Sequence, residues 1–389
     1  MHEERQGTWS VHGTDHRKIT AARSRHASPD TGMLIAPLPP DRCPRPRSRK
    51  MTRSPLLRLA PLALFRQTLP SDLDHLVALR ITAMRPSLEQ IGRFDPQRAR
   101  ERFTSGFVPE ATFHIMQAGQ AAGFFVLERQ TDRLRLRHLY LHPDFQHGGL
   151  GAQVLRRILA DARRHGCSVQ LAALRDSPAN AFYQRHGFVQ AGEGEWDILY
   201  EHPRPADATA AHAPEAGVIR WLEHADLPAL DTILRQHVRD LHDGSVVEVE
   251  IAAIRQSMNG ERDADGRYRS YLVARDAQGV ALGCMALSGP DARISSHLAL
   301  DTQGQGSALE LLNVFVHRDA MRGRGIGRAL LQAACDEARA AGATKLVVNS
   351  GPRYRASWGF YDHLFDASHG MMMDYYGAGR HAKVWSMAL

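Results

Sequence analysis

Two stretches of this chain repeat one another. Leu139-Tyr140-Leu141-His142 leads to Gln146-His147-Gly148-Gly149-Leu150-Gly151, and Val314-Phe315-Val316-His317 leads to Arg322-Gly323-Arg324-Gly325-Ile326-Gly327. From Gln146 to Gly166 and from Arg322 to Gly342 the copies stay in step, 176 residues apart. Behind each Gly-rich loop, apolar residues recur at 150, 154, 155, 158, 159 and 162, and at 326, 330, 331, 334, 335 and 338. That spacing marks one face of an α-helix, and a closing glycine is its usual left-handed stop. Each copy therefore reads strand, Gly-rich loop, helix. A second apolar strand follows each helix, Val169 to Leu174 and Lys345 to Val348. The result is a β-α-β crossover, which sets two parallel strands side by side.

The upstream pattern repeats too. The first half offers a strand at Leu64 to Thr68, helices near Asp72 to Ala83 and Pro96 to Thr104, and strands at Thr112 to Met116 and Ala121 to Leu127. The second offers a strand at Val218 to Leu222, helices near Asp226 to Asp240 and Glu248 to Met258, and strands at Tyr271 to Ala274 and Ala281 to Leu287, with a turn at Asp276-Ala277-Gln278-Gly279. The length of 389 residues is more than one compact core usually takes. Two homologous α+β domains at 60–202 and 217–389 are expected, each a mixed, mostly antiparallel sheet with one crossover and flanking helices. Pro203 to Ala216, Ala/Pro-rich and non-periodic, is the expected linker.

Charge and composition narrow the function classes. Residues 1–50 hold ten Lys/Arg against five acids, so the net charge of +7 falls as +5 there and +2 on the other 339 residues. A nearly neutral body argues against nucleic-acid binding. Residues 1–55, rich in Pro, Arg, Ser and His and without apolar periodicity, are expected to be a disordered basic leader, and a chain beginning at Met51 would lose nothing that reads as folded. Leu59 to Phe65, closed by Arg58 and Arg66, is too short to cross a bilayer, and it makes a poor secretory signal. Cys43, Cys167, Cys284 and Cys335 show neither disulfide nor zinc spacing. The expectation is a cytoplasmic protein without a metal or a membrane partner.

Glycines at a helix N-terminus let a phosphate approach unpaired N-H groups at the positive end of the helix dipole. A Walker A loop would need Gly-Lys-Ser/Thr. A Rossmann loop would need G-x-G-x-x-G soon after the first strand of a parallel sheet. Neither copy fits. The pattern Q/R-x-x-G-x-G/A, carried by Gln146, Gly149 and Gly151 and by Arg322, Gly325 and Gly327, resembles motif A of the GNAT acetyltransferases. Further on, Asn180-Ala181-Phe182-Tyr183 with Gly187-Phe188 resembles motif B of that family. In the second half Phe360-Tyr361 aligns with Phe182-Tyr183 after a two-residue insertion, and Tyr354 is a rival for the same role. The likeness covers residues 60–389.

The resemblance implies acetyl-CoA as co-substrate, with its pyrophosphate at the two loops. The implied cofactor contacts are Leu139, Leu141, Gln146, His147, Gly148, Gly149, Gly151 and Asn180 in the first half. In the second they are Val314, Val316, Arg322, Gly323, Arg324, Gly325, Gly327 and Asn349. It implies direct transfer to a primary amine, with Tyr183 and Tyr361 as general acids and backbone N-H groups near Leu139 or Tyr140 and near Val314 or Phe315 meeting the oxyanion. Glu310, on the strand before the second loop, is the candidate base. Its counterpart is Arg135, with His138 as a substitute base there.

That asymmetry supports a second reading, in which the first domain is a non-catalytic structural or acyl-CoA-sensing module. A third reading is a nucleotide-phosphate binder unrelated to coenzyme A. The acceptor, a small molecule or peptide amine, is not specified by Met84 to Phe107 or Leu241 to Met258, the regions expected to line its site.

Overall fold

The computed structural model describes residues 62–90, 94–117, 119–204, 217–300, 308–320 and 324–389. The expected leader at 1–55, residues 205–216 of the expected linker, and Arg322 and Gly323 lie outside these residues.

The first half runs β1 (Leu64–Gln67), α1 (Leu73–Gln90), α2 (Pro96–Thr104), β2 (Thr112–Gln117), β3 (Gln120–Arg129), β4 (Arg133–Leu141), α3 (Leu150–Arg164), β5 (Ser168–Leu174), α4 (Ala179–Arg185), β6 (Val189–Glu193) and β7 (Asp197–His202). The second half repeats that order. It runs β8 (Val218–Trp221), α5 (Leu227–His237), α6 (Glu248–Met258), β9 (Ser270–Arg275), β10 (Ala281–Ser288), an added helix α7 (Ala292–His297), β11 (Ala308–Val316), α8 (Ile326–Ala341), β12 (Lys345–Ser350), α9 (Trp358–Leu364), β13 (Ala367–Met372) and β14 (Ala382–Ala388).

Each half forms a seven-stranded sheet, in the order β1-β2-β3-β4-β5-β7-β6 and its copy β8-β9-β10-β11-β12-β14-β13. Neighbours are antiparallel except β4 with β5 and β11 with β12. The class is the expected one, two tandem α+β units of the same topology. Helix α1 outruns its expected end at Ala83 and continues through Pro86 to Gln90. Helix α7 was not legible, because six residues are too few to display a 3.6-residue period. It lies where the first half has only a turn between β3 and β4, and the Asp291 side chain caps it by accepting the Ile294 N-H at 2.7 Å.

The apolar stripe read from the sequence is buried on both crossover helices, from Leu150 to Ala162 on α3 and from Ile326 to Ala338 on α8. Gln153, Arg157, Asp161 and Glu337 are buried as well, although their side chains are polar or charged. The reason is that α3 and α8 pack on each other. Gln153 Nε2 donates to Ala341 O at 3.4 Å, Arg156 Nε to Ala340 O at 2.9 Å, and Arg164 Nη1 to Ala333 O at 3.4 Å. Each bond joins a residue on one side of position 160 to one on the other side of its repeat equivalent, 336. The helices are thus antiparallel about a local two-fold, and small residues at Ala333, Ala340 and Ala341 let the backbones come close.

One buried cluster consequently runs through both halves, from Phe65, Phe113 and Phe125 to Trp221, Leu272 and Met285. Inside it, Arg157 and Glu337 are each 1% exposed and 2.6 Å apart. Arg157 also donates to Ala63 O and to Ser270 Oγ, and its guanidinium lies 4.0 Å from the Phe65 ring centroid. Arg164 reaches Glu337 at 3.0 Å and Asp161 at 3.4 Å, and Arg129 reaches Asp161 at 2.7 Å. Burial alone would raise the Asp161 carboxyl, but Arg129, His165 and Arg164 together hold it well below the usual range.

Candidate active site

The crossover strands begin paired and then part. β4 and β5 are in register from Arg133↔Ser168 to Leu136↔Leu171, and β11 and β12 from Ala308↔Lys345 to Leu311↔Val348. Among the described residues these pairs go no further, although β4 runs on to Leu141 and β11 to Val316. A bulge at the branch point bends each long strand away. The β3–β4 register shifts after Val126, the β10–β11 register shifts after Cys284, and Asn313 sits at φ 47°. Leu139, Leu141, Val314 and Val316 turn their side chains to the shared core. The backbone of each stretch is left as a strand edge facing a wedge, where an extended ligand can pair as an added strand.

The Gly-rich loops close the wedges. Gly149 caps α3 at φ 80° and Gly325 caps α8 at φ 64°, a left-handed conformation that disfavours any side chain. Among the described residues, no heavy atom beyond the chain neighbours and the helix's own backbone lies within 4 Å of where a Cβ would stand at Gly148, Gly149 or Gly325. The helix N-termini are therefore open to a phosphate. Gln146 braces the first loop from Nε2 to Leu141 O at 2.9 Å, and His147 turns through φ 64°.

The next helices show which tyrosines correspond. A Cβ on Gly151 would meet Phe182 at 3.6 Å, and one on Gly327 would meet Phe360 at 3.5 Å. Phe360-Tyr361 thus occupies the place of Phe182-Tyr183. Tyr183 and Tyr361 both lie against the strand beside the crossover, with ring centroids 6.3 Å from Tyr200 and 5.2 Å from Trp385. Burial raises both phenols above their ordinary value; Tyr140 adds to this at Tyr183, and Ser357 opposes it at Tyr361. Tyr354 instead packs 6.0 Å from Phe315 on the α5–α6 side of the sheet.

By the same register Asn349 does not stand in Asn180's place. From β12 it pairs with Val384 of β14, where the first half has Ala172 opposite Leu199, and Trp358 occupies the Asn180 position. Asn180 gives its Nδ2 to Leu174 O and Ser177 O, both at 2.9 Å, and keeps a buried, unpartnered Oδ1. Trp358 keeps a buried, unpartnered Nε1. One half therefore leaves an orphan acceptor at this point and the other an orphan donor.

Glu310, the candidate base on the strand before the second loop, is completely enclosed, at 0% exposure. Three groups hold it: Arg267 Nη1 at 2.8 Å, Asn349 Nδ2 at 2.6 Å and the Asp291 N-H at 3.3 Å. Burial pushes its carboxyl up to about 7 against the pull of Arg267. Asn349 in turn accepts the Tyr376 hydroxyl, and Tyr375 donates to Asp291. Glu310, Asn349 and Tyr376 thus form one hydrogen-bonded chain. Sequence reasoning missed Arg267, Asp291 and Tyr376. The available signal was the aromatic pair Tyr375-Tyr376 between Asp374 and Gly377.

The first wedge differs. Arg135 takes the Glu310 position, between Glu128 on β3 and Gln170 on β5. His138 stacks 5.6 Å from Tyr140, and burial, with Arg80 and Arg137, presses its pKa down to about 3. Among the described residues there is no group of three or more potential metal ligands, and no helix is long and apolar enough to cross a membrane.

Each half thus pairs a glycine-capped crossover helix with a splayed strand, in the same order along the chain. Comparison with known families agrees. Residues 109–190 match the acetyltransferase (GNAT) domain, and residues 235–365 match the acetyltransferase (GNAT) family. The chain belongs to the GNAT acetyltransferases and carries two such domains in tandem.

Similar solved structures include the PaiA N-acetyltransferase of Thermoplasma acidophilum with coenzyme A, at 17% identity over 36% of this chain and 97% of that one, TM-score 0.29. YncA of Salmonella typhimurium with acetyl-CoA matches at 22% identity over 45% and 94%, TM-score 0.31. A phosphinothricin acetyltransferase of Sinorhizobium meliloti with acetyl-CoA matches at 21% identity over 45% and 89%, TM-score 0.33. Among curated proteins nothing matches the chain.

Proposed function

We propose that the chain is an acetyl-CoA-dependent N-acetyltransferase acting on a primary amine of a small molecule or peptide, with a cofactor cradle in each half and the chemistry in the second. The observation that carries this reading is the pairing of an open wedge and an open helix N-terminus in both halves, with an ionisable cluster built around Glu310 in only one. The residues fit the cofactor: the Gly148, Gly149 and Gly325 positions leave room for phosphate, the free edges of β4 and β11 can pair with an extended arm, and the orphan Asn180 Oδ1 awaits an N-H. Acetyl-CoA supplies the acetyl group as a thioester.

Gln146, His147, Gly148, Gly149, Gly151, Leu139, Leu141 and Asn180 hold it in the first half. Arg324, Gly325, Gly327, Val314 and Val316 do so in the second, with Arg322 and Gly323 from the loop. The backbone of Val314 and Phe315 meets the charge that develops on the carbonyl oxygen. Tyr361, kept protonated by burial, gives its proton to the departing sulfur. Glu310 lies behind Asn349, so it draws the amine proton through water rather than by contact.

Glu310 must be ionised to act as base. With its carboxyl at about 7, activity is expected to climb as pH rises through about 7 and to level off above it. In Glu310→Gln that limb should vanish and turnover fall by about 10²–10⁴-fold. A pH-rate profile of coenzyme A release checks this, and an unchanged acid limb in Glu310→Gln would sink the assignment.

The first half carries its own observation for this reading. Arg135 and the strongly depressed His138 leave the first wedge without a base poised near neutrality, which suits a domain that binds the cofactor without using it. Gly149→Val, a branched residue at φ 80° on the α3 cap, is expected to weaken coenzyme A binding to that domain at least about tenfold while sparing turnover. Calorimetry and turnover on the same sample test this. Lost turnover would place chemistry in the first half too.

A further inference from the structure

The seam between α3 and α8 carries a groove that cofactor binding and acetyl transfer leave unused. It encloses about 430 Å³ and is lined by Arg156, Leu159, Ala160, Arg163 and Arg164 from α3 and by Asp336, Arg339 and Ala340 from α8. The volume is of the size that takes a small molecule. It lies across the local two-fold, since 160 and 336, 163 and 339, and 164 and 340 are equivalent positions of the repeat. Two equivalent arginines, one from each half, therefore face the same space.

Four guanidiniums meet one carboxylate there. Asp336 is taken by Arg339 at 3.3 Å, and Arg164 is turned to Glu337 and Asp161, leaving its Nε buried without a partner. Arg156 bonds to Ala340 O and, among the described residues, to no carboxylate, and the loss of water around its guanidinium depresses its pKa. The Arg163 side chain makes no hydrogen bond or ion pair among the described residues. Such a gathering is not a consequence of overall charge, because the chain beyond residue 50 carries only +2. Arg156, Arg163 and Arg339 are exposed along the groove; like charges side by side repel one another, and a multivalent anion relieves that repulsion.

We infer that this groove is an anion site of its own, taking a small soluble phosphate compound. Guanidinium forks match phosphate oxygens two at a time, and the apolar floor of Leu159, Ala160 and Ala340 admits the organic part of an ester. Because both halves supply its walls, a bound phosphate fastens them together. The Gly-rich loops, at the N-termini of the same helices, are a separate place.

The test is calorimetric titration of inorganic pyrophosphate into the full-length protein after the loops have been filled with two equivalents of coenzyme A. One further equivalent is expected to bind and to raise the melting temperature. Arg163→Glu removes no side-chain hydrogen bond or ion pair of the described residues and is expected to weaken that equivalent at least tenfold; Arg156→Gln should weaken it less. Both variants should keep the melting temperature and coenzyme A binding of the unmodified protein. If coenzyme A does not bind, the same titration is compared between unmodified protein and Arg163→Glu, and the expected difference is still one equivalent. Absence of a further equivalent, or pyrophosphate binding unchanged in Arg163→Glu and Arg156→Gln, would overturn the inference.

Discussion

Replacing Tyr361 by phenylalanine is expected to slow acetyl transfer by about 10²–10⁴-fold, the usual contribution of a positioned acid, while coenzyme A binding stays within about twofold. The ring is part of the shared core and packs on Phe365 and Trp385, and phenylalanine retains that packing. Only the proton is lost. Tyr183→Phe, by contrast, should leave turnover unchanged, because the first wedge has Arg135 where the second has Glu310. The measurement is coenzyme A release by full-length variants, with an amine found by screening acceptors against the unmodified chain. If Tyr183→Phe abolishes turnover and Tyr361→Phe does not, the halves have been assigned the wrong way round. If neither changes it, the phenols serve packing alone.

The largest effect on stability is expected at Glu337. Its carboxylate is 1% exposed and serves both Arg157 and Arg164. Glu337→Ala therefore leaves the Arg157 guanidinium in the core without its counter-charge. Removing one member of a buried pair costs about 3–5 kcal/mol. Replacing both, as Arg157→Met with Glu337→Leu, removes the charge along with its partner and should recover most of that loss. Thermal and urea unfolding of the two single variants and the double variant measure the coupling. Two independent unfolding steps in the unmodified protein, with Glu337→Ala lowering neither, would show that the halves do not share a core.

How far the sequence revealed this molecule depends on what each feature needs to be seen. The crossover helices and their strands were readable because local period encodes them, and all twelve stripe positions from Leu150 to Ala338 are buried as that period requires. The glycine caps were readable because a left-handed turn restricts residue choice. The union of the halves was not. A buried Arg157 or Glu337 looks like any charged residue on a solvent face until a second helix covers it. Asn349 misled because it stands in the right stretch of chain but on a strand, where register rather than sequence distance decides its neighbours. Glu310 stood out as an acid on its strand, but its enclosure did not, since Arg267 and Tyr376 come from loops far away in sequence with no spacing that links them.

The most direct test of the central claim, that each half holds one cofactor, is calorimetric titration of coenzyme A into the full-length chain. Two molecules per chain are expected, one lost in Gly149→Val and the other in Gly325→Val. A single site that survives either substitution, or no binding at all, would contradict the account.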